Sequence, residues 1–248
     1  MLDLGWFGHI SFNMQFLSAL FSIIIINIIL SGDNAVVIAM AVRSLPKKQR
    51  LWGMVLGSGL AVFLRIILTF FAAKLLMIEF LKLGGGLLIA WIAAKLFTEG
   101  AEESSVSASG TIWGAVKVIT VADLIMSVDN VLGVAGASHG NMFLLIFGLG
   151  SSVPLIVGTS AILSMLMDRY PIIVYIGSAI LGKVAGEMII TDPFVVRVFH
   201  PSQMVEYVVM AIFVVGVLVA GKLMLKRKIA KQDRIVLEDE QLQTSKEV

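Results

Sequence analysis

SGDNAVVIAMA, from Ser31 to Ala41, returns as SVDNVLGVAGA from Ser127 to Ala137, each copy inside a long apolar stretch and each built on a Ser-x-Asp-Asn core. The copies stand 96 residues apart in register (129 − 33), and the match extends to Asn27 against Asp123 and to Ala39 and Ala41 against Ala135 and Ala137. A carboxylate placed twice within apolar sequence reads as an internal duplication that builds one site from two halves.

Hydrophobic residues make up 58% of the 248-residue chain and charged residues only 15%; the mean hydropathy is +0.96. Such a composition belongs to a membrane protein. Crossing the hydrocarbon takes about 20 mostly apolar residues, and about seven stretches qualify, near 13–41, 51–77, 80–98, 112–138, 142–167, 171–190 and 204–226. Lipid excludes irregular exposed backbone, so each is expected to be a helix, and the fold class is an all-α polytopic membrane protein. The first stretch reads as a retained span rather than a leader, because Asp3 rather than a basic segment precedes it and its apolar run is too long. With no cysteine, disulfides, thiolate ligands and cysteine nucleophiles drop out together. A net charge of +2 gives no reason to expect a nucleic acid. No phosphate-binding loop or catalytic motif is present, so neither an enzyme nor a bound cofactor is expected.

Charge distribution sets the orientation. Arg43, Lys47, Lys48 and Arg50 follow the first span, and Lys222, Lys226, Arg227, Lys228, Lys231 and Arg234 follow the last. Basic residues stay in the cytoplasm, and an odd number of spans puts both clusters there. Seven helices in the plasma membrane, with the amino terminus outside and the carboxyl terminus inside, satisfy the rule. The loop at 99–111, with Glu99, Glu102 and Glu103, reads as a flexible linker; in the tail 227–248, the acidic part after Val236 reads as disordered.

One membrane domain is expected, with repeat 1 over 12–98, repeat 2 over 112–190 and a seventh helix over 204–226. Three spans per repeat is an odd number, so the second repeat enters the membrane inverted. Gly57-Ser58-Gly59 in span two resembles Gly148-Leu149-Gly150 in span five, and Gly85, Leu87 and Leu88 resemble Gly177, Ala179 and Ile180. Transporters built from inverted repeats hold substrate near the midplane, on helices interrupted there.

On a helix, Asp123, Ser127 and Asn130 share one face at i, i+4 and i+7, as do Asn27, Ser31 and Asn34. Asp129 lies six residues past Asp123, about 120° off that face, so convergence of all three carboxylates requires a local break. Gly32 provides one in the first copy; Val128 stands there in the second, and a break is expected on weaker grounds. Carboxylates, Asn amides and Ser hydroxyls form an oxygen-rich cage suited to a hard divalent cation such as Mg²⁺, Ca²⁺ or Mn²⁺. His9, His139 and His200 all fall near the outer edge, with His139 a candidate exit-side contact. A carboxylate here can also carry a proton, which links metal arrival to proton release. Arg65 lies too deep to snorkel easily and is a candidate partner of the carboxylates, whereas Lys95 and Lys117 fit snorkelling. Lys183 and Glu187, at i, i+4, satisfy each other in the simplest reading. Charge within a membrane span is expensive and usually functional.

The repeated SGDNAVVIAMA and DLIMSVDNVLGVAGA, the glycine-rich span two and the seven-helix layout resemble the TerC family of integral membrane proteins, within the broader LysE-like transporter group, over residues 12–226. The short bacterial branch called YjbE-like or YkoY-like is the nearest fit. The resemblance implies manganese efflux from the cytoplasm and sets the metal site on Asp33, Asn34, Asp123, Asp129 and Asn130, supported by Asn27, Ser31, Ser127 and Arg65. Relatives often hold Glu where this chain has Asn27. Asp33 and Asp129 are then expected to coordinate directly, Asn34 and Asn130 to supply or orient amide oxygens, and Asp123 to act from behind or carry a proton. The implied partners are the lipid bilayer and the transported cation; a homodimer or a secretion-machinery partner stays open. Three alternatives remain: an exporter of an organic cation or amino acid, a non-transporting membrane assembly factor, and an intramembrane aspartyl protease, whose Gly-x-Gly-Asp motif is missing. Orientation is directly testable: a fluorescent protein fused after Val248 should fluoresce while an alkaline phosphatase fused there stays inactive, and the reverse result would overturn the assignment.

Overall fold

Backbone N–H and C=O groups in hydrocarbon have no water to bond, and this chain closes them inside helices. The computed structural model describes residues 2–3, 9–10, 14–30, 32–69, 71, 78–101, 110–138 and 141–244, and the side chains of several residues within its helices, Asn27, Asp129 and Asn130 among them, lie outside the description. A two-residue antiparallel pair, β1 (Leu2–Asp3) with β2 (His9–Ile10), precedes the helices. These are α1 (Met14–Leu30), α2 (Gly32–Arg43), α3 (Lys47–Thr69), α4 (Leu81–Ala101), α5 (Ile112–Ala137), α6 (Met142–Arg169), α7 (Ile172–Ile190), α8 (Pro193–Phe199) and α9 (Gln203–Thr244). Among the described residues, five helices are long and apolar enough to cross a membrane: α3, α4, α6, α7 and α9. Of the remaining expected spans, α5 carries Lys117, Asp123 and Asp129, and the first is divided between α1 and α2. The fold is an all-α polytopic membrane protein.

Several expectations change. The break expected in the second copy is absent, because α5 runs as one helix through Asp123 and Asp129; β-branched Val128 lacks the freedom that Gly32 has. Ser31, where the first copy would open, lies outside the described residues. Helix α3 starts at Lys47, directly after a proline that cannot continue the preceding helix, so Arg50 is helical rather than in a loop. Glu99 belongs to α4, within reach of Lys95 at 3.8 Å, while Glu102 and Glu103 lie outside the described residues. The tail expected to be disordered continues α9 as far as Thr244, in sequence rich in helix-forming Lys, Glu, Gln and Leu. Neither α8 nor the small strand pair was anticipated.

Helix α2 is the centre of the bundle. Every residue from Asn34 to Val42 is buried, and the helix packs on each of α3 to α7. A helix buried all round is apolar all round, which accounts for the run AVVIAMAV. Two glycine crossings flank it. A Cβ on Gly57 of α3 would meet Ile119 of α5 at 2.8 Å, and one on Gly148 of α6 would meet Ile23 of α1 at 2.3 Å. Ile23 and Ile119 are themselves 96 residues apart (119 − 23), the spacing of the two Asp motifs.

At the opposite end from Arg43, Asp192 ties the turn after α7 to the start of α4. Its buried carboxylate accepts the backbone N–H of Phe194 at 2.9 Å, Leu83 at 3.1 Å and Phe80 at 3.3 Å, so one side chain caps both α8 and α4. Phe80 adopts φ 66 and stacks 4.5 Å from Phe194, and Arg197 pairs with Glu79 at 2.5 Å. Lys183 and Glu187 do satisfy each other, at 3.3 Å on the exposed face of α7.

Helix α9 rests on α7 and α4 through a Gly-x-x-x-Gly face, the small-residue spacing that lets membrane helices approach backbone to backbone. A Cβ at Gly182 would lie 2.9 Å from Val214 Cα, and one at Gly186 would lie 2.8 Å from Met210 Cα. Substituting Gly182→Leu should therefore push α9 away and destabilise the protein by about 1–3 kcal/mol, the usual cost of overpacking. Gly216→Leu, where nothing stands within 4 Å, should leave the melting temperature in detergent unchanged.

Candidate functional site

Helical rise sets the depth of each polar group. Arg43 and Asp168 meet at one end of the bundle, which makes that end a common reference. Asp33 precedes Arg43 by ten residues, or about 15 Å, and Asp123 follows Ile112 by eleven, or about 17 Å. Both therefore stand near the middle of a hydrocarbon layer about 30 Å thick.

At that depth Arg65 Nη2 donates to Asp123 Oδ1 at 2.6 Å. Arg65 is 1% exposed and Asp123 7%, so the pair is sealed between α3 and α5. Side chains of a helix lean toward its N-terminus, which carries the guanidinium of α3 back to the level of Asp123. Asp33, in the first turn of α2, accepts the Asn34 backbone N–H at 2.9 Å and lies close enough to feel the charges of Asp123 and Arg65. Asn34 is 1% exposed, and among the described residues neither its amide nitrogen nor its amide oxygen has a hydrogen-bond partner, nor does Asp123 Oδ2. Buried polar atoms without partners are rare. Here they leave an amide and a carboxylate oxygen available to a ligand.

The structure thus brings Asp33, Arg65 and Asp123 together, with Asn34 adjacent to Asp33. Ser127 is withdrawn: its hydroxyl donates to the Leu124 carbonyl of its own helix at 3.0 Å. Asn27, Ser31, Asp129, Asn130 and His139 lie outside what is described of side chains, and His200 ends α8 in the left-handed region at φ 43. Because α5 is unbroken, position 129 lies about 120° around the helix from position 123 and about 9 Å further along. Among the described residues no group of three carboxylate, imidazole or thiol ligands converges. Two hydroxyls absent from the sequence-based site belong near it: Thr120, one turn before Asp123, and Ser58, two turns before Arg65. Both are buried and, among the described residues, without partners, and their i−3 and i−7 spacings were the available signal.

Removing one partner of a buried ion pair leaves a bare charge and costs about 3–5 kcal/mol, whereas replacing both by apolar groups is often neutral. Arg65→Met alone should lower stability by about that amount, and Arg65→Met with Asp123→Leu should recover most of it. Thermal unfolding in detergent reads both; equal loss in the single and double variants would show that the pair is not the source.

The model of the integral membrane protein TerC family matches residues 12–230. The uncharacterised membrane protein YjbE of Bacillus subtilis is 43% identical over 178 residues, 72% of this chain and 82% of its own. YceF of the same organism, also an uncharacterised membrane protein, is 29% identical over 67% of this chain and 68% of its own, and the inner membrane protein YgdQ of Escherichia coli is 25% identical over 62% and 72%. No solved structure matches the chain. A family model that covers nearly all of the helical bundle, with the Asp motifs inside it, assigns the chain to the TerC family of integral membrane proteins.

Proposed function

We propose that the protein exports a divalent cation, manganese, from the cytoplasm through the mid-membrane Asp33–Asp123 region. The observation that carries this reading is a half-depth cluster in which the Asn34 amide and the second Asp123 oxygen are buried without hydrogen-bond partners among the described residues, beside a half-buried Asp33. Oxygen donors without thiolate or imidazole favour hard divalent ions over zinc or copper, and intramembrane carboxylates typically mark ion pathways. In this reading Arg65 holds Asp123 when the site lacks cargo, Asp33 is the first mid-membrane carboxylate met by the ion, and Asp129 with Asn130 serves the route about 9 Å further along α5 rather than the same coordination sphere. This reading takes the protein to lie in the plasma membrane with its amino terminus outside, as the distribution of basic residues favours. Two inverted repeats are supported by the glycine crossings, since Gly57 on Ile119 and Gly148 on Ile23 are what exchange of the halves requires.

A second reading rests on Arg65 itself. A buried guanidinium beside a carboxylate presents both signs of charge, which suits a zwitterion such as an amino acid. The same pairing weighs against an aspartyl protease, whose two carboxylates must share a proton rather than hold an arginine.

Proteoliposomes separate these readings when Mn²⁺, Ca²⁺, Mg²⁺, Zn²⁺ and a basic amino acid are offered in turn with internal pH followed. Mn²⁺ flux with opposite proton movement is expected. Asp33→Asn with Asp129→Asn should reduce it about ten- to a hundredfold, the factor for losing one charge-assisted contact or more, in protein that remains folded. Full flux in that double variant would remove the site assignment; amino-acid flux without metal flux would favour the second reading.

A further inference from the structure

We infer that the cytoplasmic half of the ion route runs along the hydroxyl face of α6 and is closed at its inner end by an Arg43–Asp168–Arg50 clasp. The inference rests on the export reading for its cargo and direction, and on geometry for its course. Arg43 Nε donates to Asp168 Oδ1 at 3.2 Å, and Arg50 Nη1 bonds the other oxygen. Arg50 also donates to the Arg43 carbonyl at 3.0 Å and the Leu45 carbonyl at 3.2 Å, and Arg43 reaches the Gly100 carbonyl. The ends of α2, α3, α4 and α6 are thereby tied by two guanidinium groups around one carboxylate. Arg50 turns inward as well, 3.4 Å from the Ser164 hydroxyl.

From there a polar column leads to the middle of the membrane. Asp168, Ser164 and Ser160 follow at four-residue steps on one face of α6, and both serines are buried. Hydroxyls in membrane helices ordinarily bond a carbonyl of the preceding turn, as Thr98, Ser127, Ser151 and Ser152 do. Among the described residues Ser160 has no hydrogen-bond partner, nor does buried Ser178 of α7, nor does the Asn34 amide of α2. The three helices that carry these groups pack on one another. Ser160 lies eight residues from Asp168 and Asn34 nine from Arg43, so they stand level, about 12–14 Å from the clasp. Polar atoms left without partners in hydrocarbon call for water or a hydrated ion, and a column of them ending beside Asp33 is a route to it. A cation arriving from the clasp end meets two guanidinium groups first. Passage requires the clasp to part, and parting frees Asp168 as the first anionic contact.

The chain has no cysteine, so an introduced one is the sole thiol. Ser160→Cys is labelled with a membrane-impermeant cationic methanethiosulfonate reagent, in vesicles with the clasp face outward, in the parental, Asp168→Asn and Arg50→Gln backgrounds. Leu155→Cys, on the exposed face of α6, is the control, and gel filtration verifies each fold. Labelling of Ser160→Cys should quicken about tenfold or more in either clasp variant, the factor for one lost charge-assisted hydrogen bond, and Mn²⁺ should slow it. Unreactive Ser160→Cys in every background, or equal rates in all three, overturns the inference. Clasp-dependent labelling without metal flux keeps the route and removes manganese as cargo; metal flux with unreactive Ser160→Cys keeps the exporter and removes the route.

Discussion

A guanidinium and a carboxylate 2.6 Å apart in the middle of a membrane bundle constrain everything around them. Neither Arg65 nor Asp123 has a low-energy position in hydrocarbon alone, so α3 and α5 must pack with these two residues at one level and on facing sides. Gly57 makes that packing close enough by letting Ile119 rest on the backbone of α3. With α3 and α5 fixed, α2 has one place left, at the centre, and Asp33 arrives beside the pair. The pair is a weak source of net stability, because desolvation offsets attraction, but it is a strong determinant of register.

The two glycine crossings share geometry and differ in charge. The motif register sets Asn27 against Asp123, and eight residues after the matched glycines Arg65 stands against Ile156. The α3–α5 crossing therefore carries an ion pair where the sequence of the α1–α6 crossing has an amide and an aliphatic side chain. Crossings that bear different charges need not move with equal ease. The α3–α5 crossing is locked by charge at mid-depth, while the α1–α6 crossing is held by apolar contact at Gly148 and Ile23.

Hydrophobic runs made the helices legible, because lipid leaves the backbone no alternative to internal hydrogen bonding. Arg65 was legible for the same reason: a charge too deep to snorkel needs a partner. The continuity of α5 was not legible, since a helix tolerates Asp and Asn wherever a cavity receives them. The Asp192 staple was equally hidden. Its three partners are backbone N–H groups, two of them more than a hundred residues away, and backbone donors leave no mark in a sequence. Thr120, Ser58 and Ser160 resemble ordinary small residues of membrane helices, and only their missing hydrogen bonds separate them from the rest.

The ten residues between Asp33 and Arg43 also have an electrical meaning. One charge carried across the whole membrane does about 2.3 kcal/mol of work per 100 mV. A divalent ion that reaches Asp33 from the Arg43 end crosses about half of that field with two charges, so about the same work falls on the inner half of the route. Inside-negative potential opposes that step for a cation leaving the cytoplasm. Under the export reading, expulsion along this path would not run on voltage; it would need the opposite movement of another charge or a steep outward gradient of the cation itself.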